Sequence, residues 1–191
     1  MGFGVWGLGP AVVTLGRRGS VENDLTSSFK KDQFELFQVE RGGQATLHSP
    51  GQLVVYPLLT LKKYGIGVRQ YVAHLERATM ETLYDFGIQT QKRCDEPGLY
   101  TDEGKIAFFG VRVQEGRTQH GMALNVTNDL NLFRAIHSCG RQKECFDSME
   151  RYGFSDSLEE LFARWCQNFK AGLKLTNSEA KTTLAVPEMR V

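Results

Sequence analysis

The stretch Arg-Gly-Gly-Gln-Ala-Thr-Leu-His-Ser-Pro-Gly-Gln at positions 41–52 constrains the fold more than any other part of this chain. Glycine at 42, 43 and 51 lets the backbone turn through positive φ and lets a ligand reach main-chain N–H groups. On either side, Phe34–Val39 and Leu53–Leu61 run apolar or alternate, which reads as strands. The expectation is a glycine-rich loop framed by two strands, with His48 and two glutamines as its polar groups.

Other elements follow from periodicity. The short apolar run Ala11–Leu15 reads as a strand entering the loop Gly16-Arg17-Arg18-Gly19. Positions 68, 71, 72, 75, 78, 79, 82, 83 and 86 have helical spacing, and Gly87 ends that helix. Ile106–Val113 and His120–Val126 read as strands joined by a hairpin loop at 114–117. A second helical stripe runs through Leu161, Phe162, Trp165 and Phe169, giving a helix over Leu158–Leu173. Strands interleaved with long helices place the chain in the α+β (α/β) class. Its 191 residues, 41% apolar, suffice for one domain with a real core. Residues 1–174 are expected to form that domain, and 175–191 a polar tail.

Composition removes several classes. Net charge is +1, which argues against a nucleic-acid binder that depends on a basic face. The pairs Arg17-Arg18, Lys30-Lys31 and Lys62-Lys63 read as solvated surface or as a local rim for an acidic protein partner. No apolar run reaches the length of about 18 residues that a membrane-spanning helix needs. The first ten residues lack the features of a secretory signal, and Trp6 stands where myristoylation wants Ser or Thr. Cys94, Cys139, Cys145 and Cys166 are too few and scattered for a disulfide scaffold and lack metal-ligand spacing. Free thiols in a reducing cytoplasm fit best.

Four segments resemble, in order, the lipoyl-(acyl-carrier)-protein octanoyltransferase family. They are the 41–52 stretch; Gly104-Lys105-Ile106-Ala107 with Gly110-Val111-Arg112; His120-Gly121-Met122-Ala123-Leu124-Asn125-Val126; and Cys139-Gly140. The resemblance implies the fold of biotin and lipoate ligases, a mixed sheet flanked by helices. It implies transfer of an octanoyl group from octanoyl-acyl carrier protein, through a cysteine thioester, to a lysine of lipoyl domains. Those acceptor domains belong to the 2-oxoacid dehydrogenases and the glycine cleavage H protein, and the reaction is a step of lipoate biosynthesis. No metal or cofactor is implied. By the same resemblance Cys139 carries the acyl group and Lys105 activates it. Arg41, Gly42, Gly43, Gln44, Ala45, Thr46, Leu47 and His48 would then cradle the substrate. Phe108, Phe109 and Gly110, with Gly121, Met122 and Ala123, would complete the pocket.

The residue types suit that chemistry. A thiolate is a good nucleophile, and a thioester remains reactive toward an amine. Moving a thiol from a pKa of about 8.5 to about 7 takes roughly 2 kcal/mol, which a nearby ammonium can supply in a partly dry site. An apolar slot gains about 0.8 kcal/mol per buried CH₂, so its depth would select chain length. Read without the resemblance, Cys139 is equally a small buried hydrophobe, Lys105 a surface lysine, and His48 a structural histidine. Two other functions stay open: an ATP-dependent lipoate or biotin ligase, and a non-catalytic or weakened member that binds lipoyl or carrier domains. Ser49 stands where the family has glycine, Ser138 where it has proline, and the amino-terminal elements read as shortened.

Overall fold

The computed structural model describes residues 10–93, 97–137 and 145–173, together with the backbone of residues 2–6. In chain order the strands are β1 (Gly2–Trp6), β2 (Val12–Leu15), β3 (Glu35–Gln38), β4 (Ala45–His48), β5 (Gln52–Leu58), β6 (Leu99–Tyr100), β7 (Lys105–Gln114) and β8 (Arg117–Asn125). The helices are α1 (Val21–Asp24), α2 (Val68–Asp85) and α3 (Leu158–Gly172). The class is α+β. Five strands form an antiparallel sheet in the order β1-β5-β8-β7-β6, and a second sheet has the order β3-β2-β4. In the smaller sheet β2 runs parallel to β3 and antiparallel to β4.

The expected mixed β-structure flanked by helices is present, divided between two sheets. The reason is β4, inside the stretch read as a loop. Thr46 and Leu47 fit a pleated, half-buried surface, and β2 supplies the partner: Val13 pairs with Leu47 and Thr14 with Thr46. Only 41–44 and 49–51 remain irregular. The strand read as Leu53–Leu61 ends at Leu58, and Leu61 opens a 3₁₀ turn. The tail expected from residue 175 lies outside the described residues.

Side-chain alternation sorts the large sheet into two faces. Leu53, Val55 and Leu124 pack with Leu75, Leu83, Leu161 and Phe169 of the helices. Val54 and Ala123 pack instead with Val13 and Leu47 of the small sheet, and with Phe108 and Phe133. Helices therefore cover one face of the large sheet, and the small sheet covers the other.

Local chemistry sets the helix ends. Past α2, Gly87 takes φ +76° and donates to Tyr84 O, while Ile88 N–H donates to Leu83 O. This paired closure satisfies carbonyls that the helix leaves open. Ser157 and Glu160 cap the start of α3 reciprocally, each side chain accepting from the other's backbone N–H. Between the helices, the buried Trp165 Nε1–H donates to Thr79 Oγ1 at 2.9 Å, and that hydroxyl donates to Leu75 O. No described helix is long and apolar enough to cross a membrane. Thr79→Val keeps shape but strands the indole N–H, so denaturant unfolding should report a loss of about 1–3 kcal/mol; an unchanged midpoint would deny this bond its role.

Candidate active site

The β7–β8 hairpin turns at Glu115-Gly116, both at positive φ, which fixes the register Gly110↔Gly121 deeper in the sheet. Gly121 is required by close approach: a Cβ there would collide with Val55 O and lie 2.9 Å from Pro57 Cδ.

Lys105 starts β7 with its side chain fully buried. Its Nζ lies 5.4 Å from the centroid of the Tyr100 ring and 5.3 Å from that of Phe108, within cation–π range. Its backbone is held by a parallel bridge to Phe146: Lys105 N–H donates to Cys145 O at 2.8 Å, and Lys105 O accepts from Asp147 N–H at 3.0 Å. Gly104 permits this approach, because a Cβ would stand 2.5 Å from Cys145 O. Phe146 also stacks on Phe133 at 4.2 Å between ring centroids, and Phe133 stacks on Phe108 at 5.3 Å. Cys139 and Gly140 lie outside the described residues. The chain before them is anchored by His137 N–H on Asp24 O (2.7 Å), and the chain after them by the Lys105 bridge.

Arg41 is buried and laces the irregular segment 41–44 to β2. Its Nη2 donates to Thr14 O at 2.7 Å and to Thr14 Oγ1 at 2.8 Å, and its Nη1 donates to Gly42 O. Gly42 N–H donates to Val111 O, which ties the same segment to the large sheet. Gln44 Nε2 reaches Asp24 Oδ1 at 3.3 Å.

His48 belongs to a buried polar chain. Its Nδ1 lies 2.8 Å from Gln52 Oε1, Gln52 Nε2 donates to Asn125 Oδ1 at 2.9 Å, and Asn125 Nδ2 donates to Asp147 O at 3.0 Å. Burial, reinforced by the charges of Arg41 and His120 and only partly offset by the Gln52 bond, lowers the His48 pKa to about 4. The imidazole is therefore neutral at pH 7. Asp147 is itself buried and accepts from Thr101 Oγ1, Tyr152 OH and Ser148 N–H. His120 sits at φ +57° with its ring edge-on to Tyr56 at 5.5 Å. Its pKa is lowered by burial first, then by Arg41 and Arg112.

Arg41, His48, Lys105 and His120 line a cavity of about 340 Å³ between the two sheets. Of the residues singled out in the sequence, it gathers Arg41, Gly42, Gly43, Gln44, Ala45, Thr46, His48, Lys105, Phe108, Phe109, Gly110, Gly121, Met122 and Ala123. Leu47 is not brought there; strand alternation sends it into the core beside Val13. Arg18, Tyr56, Pro97 and His120 join the lining without having been placed in the pocket from the sequence. Tyr56 had a signal, standing two residues from Val54 on one strand face. Cys166 lies in the helical core, its thiol pushed up to about 12 by burial.

Two sheets with helices on the outer face of the larger one, enclosing a mixed-polarity cleft that holds the buried Lys105, are the fold of the lipoate protein ligases. A bi-partite lipoate protein ligase from Thermoplasma acidophilum shares the fold at a TM-score of 0.69 and 16% identity, covering 91% of this chain and 71% of that one. The chain belongs to the lipoyl protein ligase A/B catalytic domain family, whose profile matches residues 4–170. It is 44% identical over 131 residues to the octanoyltransferase of Shewanella amazonensis, covering 69% of this chain and 59% of that protein. It is 37% identical over 174 residues to the octanoyltransferase of Polynucleobacter necessarius subsp. necessarius, covering 86% of this chain and 80% of that protein. The chain thus spans about three-fifths of the length of the Shewanella relative.

Two stability measurements test this geometry. Because the folded state holds His48 near 4 against an ordinary 6.5, the unfolded chain binds its proton more readily. The resulting stability is complete above about pH 6.5 and is lost as pH falls toward 4, a swing of about 3 kcal/mol. Denaturant titrations across that range should show a shallower slope for His48→Gln, with a remainder from His120; identical slopes would contradict it. Ser49 is fully buried and its hydroxyl has no hydrogen-bond partner among the described residues. Ser49→Ala should raise stability by about 1 kcal/mol in the same assay.

Proposed function

We propose that this protein is an octanoyltransferase. It takes an octanoyl group from octanoyl-acyl carrier protein onto Cys139 as a thioester and passes it to a lysine of a lipoyl domain. Acceptors of this class include the lipoyl domains of 2-oxoacid dehydrogenases and the glycine cleavage H protein. Residues 1–174 form the catalytic domain and 175–191 a polar tail. The reducing cytoplasm is the compartment that suits a free nucleophilic thiol.

The observation that carries the reading is the buried Lys105 in a cleft lined by Phe108, Phe109 and Met122, with its backbone bridged to the segment that follows Cys139. The octanoyltransferase relatives add support. In the first half-reaction the Cys139 thiolate attacks the carrier thioester, and the departing carrier thiolate takes a proton from the Lys105 ammonium. In the second, a neutral lysine amine attacks the Cys139 thioester. Its nitrogen–carbon bond forms, the carbon–sulfur bond breaks, Cys139 leaves as thiolate, and the proton shed by the amine returns to Lys105. The donor thioester already carries the driving force, so no nucleotide is consumed. General acid–base catalysis of this kind contributes about 10²–10⁴ in rate.

Intact-protein mass spectrometry after mixing with octanoyl-acyl carrier protein should find one octanoyl adduct mapping to Cys139, and none on Cys139→Ala. Lys105→Met keeps the buried volume and should slow loading by about a hundredfold or more. Equal loading of wild type and Cys139→Ala would end the covalent reading and favour a binding role.

A further inference from the structure

The β5–β8 ladder is interrupted at the end of the cavity that points toward the β7–β8 turn. Pairing runs from Gln52↔Asn125 to Val55↔Met122 and returns, in the same register, at the bridge Thr60↔Arg117. Between them stand Pro57, which has no N–H to give the ladder, and His120 at φ +57°. Thr118 Oγ1 spans the break, donating to Pro57 O at 2.7 Å and accepting from Leu59 N–H at 2.8 Å. Beside the break lies a groove of about 810 Å³, whose lining includes Leu58, Lys63, Tyr64, Arg117 and Gln119. It begins where the cavity stops. Tyr56 and His120 line the cavity, and Leu58 and Gln119, two residues and one residue further toward the turn, line the groove. Leu58 is 51% exposed, an unusual position for a leucine at a strand end.

Charge on this face is one-sided. Between Glu40 and Glu76 the sequence has no Asp or Glu but carries Lys62, Lys63 and Arg69. From Gly104 to Asn128 the single carboxylate is Glu115, at the turn. Among the described residues Arg112 pairs with Glu40 at 3.5 Å, while no carboxylate pairs with Lys62, Lys63 or Arg117. A chain of net charge +1 is thus locally cationic here, around an exposed apolar side chain. Such a surface complements an acidic protein.

Reach selects which acidic protein. Lys105 Nζ lies beside the Phe108 ring, and Phe108 is five residues along β7 from Val113, the partner of Thr118 in the groove. Five strand residues span roughly 17 Å. A lysine side chain of a docked acceptor extends only about 6 Å, on bonds of about 1.5 Å. A phosphopantetheine arm of about fourteen bonds is as long as roughly five extended residues, or about 17 Å. We propose that the groove beside Leu58, with Lys63 and Arg117 in its lining and Lys62 adjoining, docks an acidic carrier domain that delivers its acyl thioester to Lys105 on a pantetheine arm laid along the cavity. The inference rests on the octanoyl-transfer reading and gives this face to the donor. The carrier's body stays outside, where its carboxylates meet the cations, and only the arm enters.

The test compares two donors. Loading of Cys139 is followed by mass spectrometry from octanoyl-acyl carrier protein and from S-octanoyl-pantetheine, which lacks both the protein and the phosphate. Lys63→Glu combined with Arg117→Glu should raise KM for the carrier by about tenfold or more and leave loading from octanoyl-pantetheine within about twofold. In the wild type, raising salt from about 0.05 to about 0.5 M should weaken carrier loading and spare the small donor. Equal losses from both donors would overturn the proposal. So would unchanged carrier loading with slowed release to a lipoyl domain, which would give the face to the acceptor. A binding measurement stands apart from the chemistry. Octanoyl-acyl carrier protein should bind Cys139→Ala, and the two charge reversals should weaken that binding by about tenfold or more; unaltered binding would overturn the docking face. Failure of the wild type to form an acyl-enzyme from either donor counts against the octanoyl-transfer reading, and the binding result then decides the face by itself.

Discussion

A carboxamide sealed from water must find protein partners, since each orphaned group costs about 1–3 kcal/mol. Gln52, fully buried at the start of β5, meets that demand by joining parts of the chain that are far apart in sequence. It contacts β4 through Leu47 O and His48, and β8 through Asn125. Asn125 continues to Asp147 O, and Asp147 N–H returns to Lys105 O. One run of hydrogen bonds therefore passes beneath the cavity from its histidine to its lysine. The β5–β8 register, with Gln52 opposite Asn125, is what permits it. A slip of one residue would turn both amides to the other face and break the run.

The elements that could be read from the sequence are those whose signal is local. The stripes of α2 and α3 have a period that no strand reproduces, and Gly87 marks its helix end by backbone conformation alone. The β7–β8 hairpin reads through its turn; β7 runs one residue past each limit drawn from hydrophobicity, and β8 starts three residues earlier and ends one residue sooner. β4 was hidden because its flanking glycines dominate the stretch, and only pairing with β2 makes Ala45–His48 extended. β1 was equally hidden: Gly2–Trp6 alternates with glycine, and its strand character comes from β5. Within the cavity, three of the four matched segments converge because strands carry them. Arg18 and Pro97 carried no signal of their own, because their place in the lining is a product of how loops return. The partnership of Gln52 with Asn125 spans 73 residues and is invisible to any local pattern.

The charge balance of the cavity is distinctive among its described lining residues. Arg18, Arg41 and Lys105 are cationic, two histidines have lowered basicity, and no carboxylate faces the space. Such a site favours species that carry or develop negative charge, including a thiolate and the oxyanion of acyl transfer. Arg41 contributes while its guanidinium also shapes the backbone, through bonds to Thr14 and Gly42. Position and field come from the same side chain.

The stack of Phe133 against Phe146 has a consequence for how such a protein can change over evolutionary time. These two rings clasp the chain on both sides of residues 138–144, so that interval begins and ends at fixed feet whatever it contains. Closing a span between fixed points is cheap to vary: doubling its length costs only about 0.6 kcal/mol in chain entropy. A change in the length of that interval therefore takes little from the scaffold's stability through chain entropy.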